Sequence, residues 1–595
     1  MLGIEDHGVI GDLRTAALVG TDGAIDFLCW PRLDSPSVFA RLLDHEKGGA
    51  FEISPQLEDT RCQQLYLPDT NVLLTRHLAE EGVSEISDFM AIGDEDGGQR
   101  MVRRVKAIRR EIRFDVRCAP RFDYARAEAK VTREDGAVIF ASTGDDATRL
   151  RLRASVPLSA GNGEATTTFT LRPGEAATFV LEDGGLALGG CSSVESYTAE
   201  AFKRTTNYWR DWVSRSTYRG RWRPEVMRSA LVLKLLTSAE YGSVSAAVTF
   251  GLPEAPGAGR NWDYRYAWIR DSAFTMYAFL RLGFYEEATA YQVWLRGLKV
   301  EGPPGPLPLL FTLDGSPAPA EQELDHLSGY RGSRPVRTGN AAAGQLQLDI
   351  YGELMDAIYL SDKYTNPIWS ADWQYLSQMM DWLAENWNQP DEGIWEPRSG
   401  RQHTLHSRVM CWVAFDRAVR LANKRGIPAP IERWRRERDA IYEDVHENFW
   451  NEELKAFVQT KGGYALDAAC LLMPLVRFVS ATDPKWLSTL QAVKTHLMDD
   501  SLVYRYSADT TEDGLDGLEG TFNMCSFWYV ECLARAGDLA QARFLFDKML
   551  GYANPLGLFA EETGPAGEPL GNFPQAFTHL ALISAAFTLN RMLGD

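Results

Sequence analysis

The sequence predicts a multidomain β + α protein, an N-terminal antiparallel β-sandwich followed by an (α/α)6 barrel. Three observations carry this. Apolar residues alternate with polar ones from residue 1 to about 195, the period changes from two to 3.6 from residue 224 onward, and about twelve helical stretches follow that change. A chain of 595 residues is also too long for one ordinary core. The expected organisation is a β-sandwich domain over 1–195, a helical linker over 196–223 and a barrel over 224–595.

In the first region Ile112, Phe114, Val116 and Cys118 alternate with charged or polar neighbours. Leu150 and Leu152 lie between Arg149, Arg151 and Arg153, and Phe169 and Leu171 sit among threonines and Arg172. Asp22-Gly23, Asp135-Gly136, Gly144-Asp145 and Asp183-Gly184 mark turns. Tyr208, Trp209, Trp212 and Trp222 suit a connector packed between two domains. Helices are then expected over 224–242, 272–283, 285–300, 341–362, 367–388, 404–425, 430–450, 464–479, 483–498, 521–536, 538–552 and 574–593. Gly283, Gly426 and Gly537 stand where C-terminal caps fall. Joined as hairpins, twelve helices make six inner and six outer, with a cavity at one end of the inner ring. The Pro- and Gly-rich segment 301–340, with Glu321, Glu323, His326, Tyr330, Arg334 and Arg337, is too long for idle connection and is expected in the pocket wall.

Charge narrows the partners. Lys plus Arg number 62 against 81 Asp plus Glu, and a net charge of -19 repels nucleic acid and anionic membrane surfaces. Alternation puts most arginines between 103 and 126 on one solvated strand face, which removes the temptation to read them as a nucleic-acid patch. The eight cysteines are scattered without a CxxC pair and read as reduced, packed thiols. The N-terminus has neither the basic start nor the apolar run of a secretory signal, and no apolar run approaches the roughly 20 residues that span a bilayer. A cytoplasmic protein with a small-molecule substrate is expected, without nucleic-acid or membrane partners and with homo-oligomerisation left open.

Chemistry concentrates in three stretches. In Asp391-Glu-Gly-Ile-Trp-Glu-Pro-Arg398, Glu396 stands beside Trp395, and an indole that partly desolvates a carboxyl raises its pKa and suits it to act as an acid. The same residues also fit a plain turn, with Trp395 plugging a core and Glu396 in solvent. Asn261-Trp-Asp-Tyr-Arg-Tyr-Ala-Trp-Ile-Arg-Asp271 packs four aromatics, two arginines and two aspartates into eleven residues. Flat faces cover the C–H side of a pyranose while Arg270 and Asp271 grip neighbouring hydroxyls; Asp271 is equally placed to cap the next helix. The third stretch is Gly557-Leu-Phe-Ala-Glu-Glu-Thr-Gly564, where Glu561 or Glu562 is available to activate water opposite Glu396. Such a pair stands about 6.5–9.5 Å apart in inverting glycosidases and about 5–5.5 Å apart in retaining ones. His403 and His406 lack a nearby third ligand for a metal. No phosphate-cradling glycine loop or G-x-S-x-G elbow is present.

Longer motifs add a resemblance. Ile4-Glu-Asp-His-Gly-Val-Ile-Gly-Asp-Leu-Arg, Cys29-Trp-Pro-Arg-Leu-Asp-Ser-Pro, Arg260 through Asp271, Leu327 through Arg337, Gly393 through Arg398 and Gly571 through Phe577 occur in order along essentially the whole chain. They closely resemble bacterial members of glycoside hydrolase family 15, which includes glucoamylases, glucodextranases and a branch of trehalases. The resemblance implies the same two-part fold and an inverting mechanism with no cofactor and no metal. It puts the general acid on Glu396 and the general base on Glu561, with Glu562 as the other candidate. It puts the grip on the non-reducing glucose on Arg270 and Asp271, and pocket lining on Trp268, Trp395, Tyr330 and Arg334. One departure is Val248-Thr-Phe-Gly-Leu-Pro-Glu254, where Phe250 and Gly251 replace the usual small polar wall. The leading expectation is an exo-acting α-glucosidase of glucoamylase type releasing β-glucose from malto- or isomalto-oligosaccharides. The alternatives are a trehalase and, further off, an inverting disaccharide phosphorylase.

Overall fold

The structure is a computed structural model of the chain, and it describes residues 1–94, 96–185, 191, 193–298, 305–364, 370–515, 517 and 519–594. The alternating region forms two eight-stranded antiparallel sheets. Phe114 and Phe169 stack across one of them at 5.6 Å between ring centres, and Phe169 meets Phe179 of the other sheet at 6.0 Å, so the alternating aromatics close the sandwich. One arginine departs from the solvated-face expectation. Arg103 is fully buried, held by Asp88 at 2.7 Å and by the Gly23 carbonyl at 2.7 Å. The helix Val194–Ser214 follows the sheets, opened by a Ser193 side-chain cap. Its Trp212 stacks on Phe284 at 3.9 Å.

The remaining helices pair as inner and outer members of a ring. Ser272–Leu282, Ile350–Tyr364, Leu405–Arg425, the short turns Ala468–Leu471 and Leu472–Leu475, Asn523–Ala536 and Ala576–Leu593 contact one another in sequence, and the last returns to the first. Arg223–Leu236, Tyr285–Arg296, Ser370–Asn386, Ile431–Asn448, Pro484–His496 and Leu539–Leu550 pack outside them. Gly283, Gly426 and Gly537 end their helices with φ of 88°, 61° and 98°, as expected of left-handed caps. Three stretches differ from the periodicity. The helix expected over 224–242 ends at Leu236. The helix expected from 341 begins at Ile350. The one expected over 464–479 shrinks to the two turns above, because the Asp467 side chain caps the Ala469 amide and Arg477 leaves the helical region at φ 68°. Residues 299–300 and 367–369 of two other expected helices, and 301–304 of the long loop, lie outside the described residues. No described helix is long and apolar enough to cross a membrane.

The sheets buttress the barrel mouth. Arg265, fully buried, pairs with Asp263 at 2.7 Å and reaches the Ser35 carbonyl at 2.6 Å and the Tyr124 hydroxyl at 3.1 Å in the sandwich. Asn554 donates to the His7 carbonyl at 2.9 Å. The segments that precede the Arg270–Asp271 pair and the Glu561 loop are thus tied to the sandwich.

Candidate active site

At the N-terminal end of the inner helices, a recess of about 440 Å³ including its open mouth is lined by Tyr264, Trp268, Arg270, Asp271, Trp395 and Glu396 on one side. Arg505, Phe522, Glu561, Gln575 and Phe577 complete it. Glu396 and Glu561 face the same recess. They are linked through aromatic neighbours: Trp268 Nε1 donates to Glu396 Oε1 at 2.9 Å, the Tyr264 hydroxyl donates to Glu561 Oε1 at 2.8 Å, and the two rings meet edge to face at 5.5 Å.

Glu396 sits on an irregular loop at φ 56°, a left-handed conformation that costs a non-glycine residue roughly 1–2 kcal/mol. Contacts on either side hold the loop there. The Arg398 amide donates to the Asp513 carbonyl at 2.7 Å, and the Arg398 guanidinium grips both oxygens of Glu321 at 2.9 and 2.7 Å. Glu396 Oε1 also accepts from Arg270 Nη1 at 2.8 Å. Its neighbour Trp395 is anchored by donating to Asp467 at 2.8 Å. Trp395 therefore acts as a wall fixed to the ring and not as a core plug.

Asp271 does not cap the next helix with its side chain, although it holds the N-cap position of Ser272–Leu282. Its Oδ1 instead accepts from Arg270 Nε at 3.2 Å. Burial raises its pKa, opposed by the Arg270 guanidinium. The pair presents one carboxylate and one guanidinium side by side.

Glu561 is set beside a short sheet and in a more acidic surrounding. The strand Glu562–Thr563 pairs with Thr521–Phe522 and with Pro569–Leu570. Gln575 Nε2 donates to Glu561 Oε1 at 3.2 Å, while buried Oε2 has no protein partner. Burial and the Glu254 carboxylate push the Glu561 pKa up to about 8. Gly571, at φ 73°, runs so close that a Cβ there would lie 2.6 Å from Glu561 Oε2. Only a glycine leaves that oxygen open.

The expectations for Tyr330, Arg334 and Glu562 are corrected. Tyr330 is buried against the N-terminus, its hydroxyl donating to the Leu2 carbonyl at 3.2 Å. Arg334 is exposed and, like Tyr330, absent from the recess lining. Both follow Gly329, which turns the chain at φ 76° and carries this motif toward the sheets. His326 goes with them, bonding the Tyr124 carbonyl at 2.7 Å. Of the long loop, Glu321 and Arg337 border the mouth, Arg337 stacking over Trp262 at 5.2 Å and Arg398 over its ring at 4.8 Å. Glu562 is fully buried behind Glu561, its Oε2 accepting from the Gly520 amide at 2.7 Å. Burial, Glu254 and Glu519 hold its pKa well above the carboxylate range. Phe250 packs on Phe27 and Tyr124 of the sandwich and forms no pocket wall.

Sequence reasoning missed Arg505, Glu254, Tyr264 and Gln575. Arg505 Nε reaches both Glu519 oxygens at 3.0 and 2.9 Å, and its guanidinium lies 4.6 Å over Phe522. Glu254 Oε1 accepts from Trp262 Nε1 at 2.7 Å. The aromatic flanks of Arg505, Tyr504 and Tyr506, and the position of Tyr264 inside the densest aromatic cluster were the available signals. Carboxylate oxygens of Glu254, Glu561 and Glu562 come within 4.8 Å of one another, close enough to hold a cation. Arg505 and Arg260, 3.4 and 3.6 Å from Glu254, already supply positive charge to that cluster.

Known proteins share both halves of the chain. Residues 220–587 match the profile of glycosyl hydrolases family 15, and residues 1–207 match a trehalase-like N-terminal profile. A trehalase of Mycolicibacterium smegmatis is 36% identical, the alignment covering 98% of this chain and 90% of the relative. A trehalase of Thermoplasma volcanium is also 36% identical, with 99% and 94% covered. Trehalase 1 of Sulfolobus acidocaldarius is 35% identical with 98% of each covered. The fold of a bacterial glucoamylase solved with acarbose superposes with a TM-score of 0.73 over 98% of this chain and 93% of that one, at 13% identity.

Proposed function

The chain belongs to glycoside hydrolase family 15, and from that premise we propose that it hydrolyses α,α-trehalose to two molecules of glucose. The observation that carries this reading is the end-to-end identity of about a third with proteins named trehalase, through the sandwich as well as the barrel. The reading therefore moves from the glucoamylase-type expectation to its trehalase alternative, with the same two carboxylates.

In the proposed mechanism Arg270 and Asp271 hold hydroxyls of the glucose to be cleaved, against the faces of Trp268 and Trp395. Glu396 gives a proton to the bridging oxygen, whose bond to the anomeric carbon breaks as a water attacks from the opposite face. Glu561 Oε2, the oxygen with no protein partner, takes the proton of that water. Tyr264 and Gln575 fix Oε1 so that Oε2 points at the nucleophile. The attacked ring leaves as β-glucose, the other keeps its α configuration, and Glu561 returns its proton to solvent while Glu396 regains one. Trp268 and Arg270 both donate to Glu396 Oε1, and a sugar hydroxyl that takes over the Arg270 donor would free that oxygen to face the bridging oxygen.

The test compares substrates. Initial rates on trehalose, maltose and isomaltose are measured by glucose release. The proposal expects kcat/KM on trehalose at least about 100-fold above either of the others, a margin a site built around one leaving group can supply. Turnover of maltose or isomaltose with trehalose untouched would return the assignment to the glucoamylase type.

A further inference from the structure

The barrel opens at its other end into a second funnel, of about 1210 Å³ including its mouth. All the inner helices run from the recess toward it, so their C-terminal carbonyl ends converge there. Arg281, Lys363, Arg417 and Arg420 line it from the first three inner helices, and Arg477, Arg535 and Arg591 from the remainder of the ring. The negative end of each helix dipole favours a cation by roughly 0.3–1 kcal/mol, which explains one basic residue per helix end. It does not explain an open cavity between them.

The charges there do not cancel. Arg417 is paired with Asp356 at 2.6 Å and Asp416 at 2.7 Å, Arg420 with Asp416 at 2.7 Å, and Arg535 with Glu531 at 2.6 Å. Arg281, Arg477 and Arg591 have no carboxylate within 4.0 Å among the described residues. Seven cations face three lining carboxylates, in a chain of net charge -19. One of the three, Glu353, is buried, and burial with Asp349 nearby pushes its pKa well above the ordinary carboxylate range. Arg477, Arg535 and Arg591 also line an adjoining shallow recess, so the positive surface continues outward. Deeper in, Phe274, Tyr277 and Tyr359 present aromatic faces beside Leu472 and Leu475. Arg281 lies 4.8 Å over the Tyr277 ring.

We propose that this funnel is a binding site for a phosphorylated small molecule that carries a ring, with its phosphates on Arg281, Arg477 and Arg591 and its ring against Phe274, Tyr277 and Tyr359. Guanidinium forks recognise phosphate oxygens in pairs, and an aromatic wall accepts a flat or apolar group beside them. The site is independent of the substrate assignment, because it shares no side chain with the recess that holds Glu396 and Glu561.

Isothermal titration of the full chain with magnesium-free ATP and with tripolyphosphate, at fixed ionic strength, tests it. Saturable one-to-one binding of ATP is expected, tighter than tripolyphosphate. The double variant Arg477→Gln, Arg591→Gln is expected to weaken ATP binding at least tenfold while its basal hydrolytic rate stays unchanged, which reports an intact fold. Glu561→Gln is expected to leave ATP binding unaltered. Absence of saturable binding by either probe, or ATP binding equally tight in the double variant, would overturn the proposal.

Discussion

The two carboxylate loops of the recess use the same residue type in opposite ways. Glu396 stands on a loop forced into a left-handed turn, with an indole and a guanidinium both donating to one of its oxygens. Glu561 stands beside a short three-stranded sheet, behind a glycine that cannot be replaced without collision, and among other buried acids. An indole and a guanidinium hold one oxygen of Glu396, whereas burial and like charge raise the proton affinity of Glu561. The lesson is that two glutamates facing one recess stand in surroundings of opposite character, one beside a guanidinium and one beside other buried acids.

The hardest test of this contrast removes each charge in turn. Glu396→Gln and Glu561→Gln are each expected to cut kcat on trehalose by about 10³-fold or more, with circular dichroism unchanged. Retention of most activity by either variant would end the two-carboxylate account. Next in size is Gly571→Ala. Its methyl would press on Glu561 Oε2, displacing the base by a fraction of an ångström, and a loss of kcat on the order of 10²-fold is expected with KM little altered.

Proton affinity sharpens the comparison further. Because Glu561 must be ionised to accept a proton and its pKa is pushed up to about 8, kcat/KM is expected to fall as pH drops below about 8. Tyr264→Phe removes a donor that favours the Glu561 carboxylate, so the acid limb of the profile should move upward in pH and kcat should fall roughly tenfold. An acid limb fixed in the ordinary carboxylate range in both proteins would contradict the assignment of the base.

The smallest expected effect concerns stability. Glu562 has a folded-state pKa well above that of an unfolded glutamate. Its contribution to stability is therefore full at low pH and lost as pH rises above the unfolded value. Glu562→Gln is expected to stabilise the protein at pH 8 by on the order of 1 kcal/mol, to do nothing at pH 4, and to leave most of kcat intact. Thermal unfolding at the two pH values reads this, and a large loss of turnover would make Glu562 the base instead.

The sequence was informative wherever a local pattern decides the outcome. Gly283, Gly426 and Gly537 mark real helix ends, and the acid loop, the Arg270–Asp271 pair and the Glu561 loop all meet in one recess. What it lacked was direction. Tyr330 and Arg334 belong to a motif as distinctive as the others, but a turn at Gly329 sends them to the sandwich, and nothing in spacing reports a turn that is decided by packing. Arg505 and Glu254 were missed for the converse reason. Arg505 is far from the motif residues in sequence, and Glu254, though it ends the Val248–Glu254 stretch, meets Arg505 only because the ring brings their segments together.

The central claim is that a water held by Glu561 attacks one glucose of trehalose with inversion while Glu396 releases the other. Proton NMR of the first products from trehalose tests this most directly. The account predicts equal amounts of α- and β-glucose before mutarotation sets in, one from each half of the substrate. Two equivalents of α-glucose would mean retention and would contradict it.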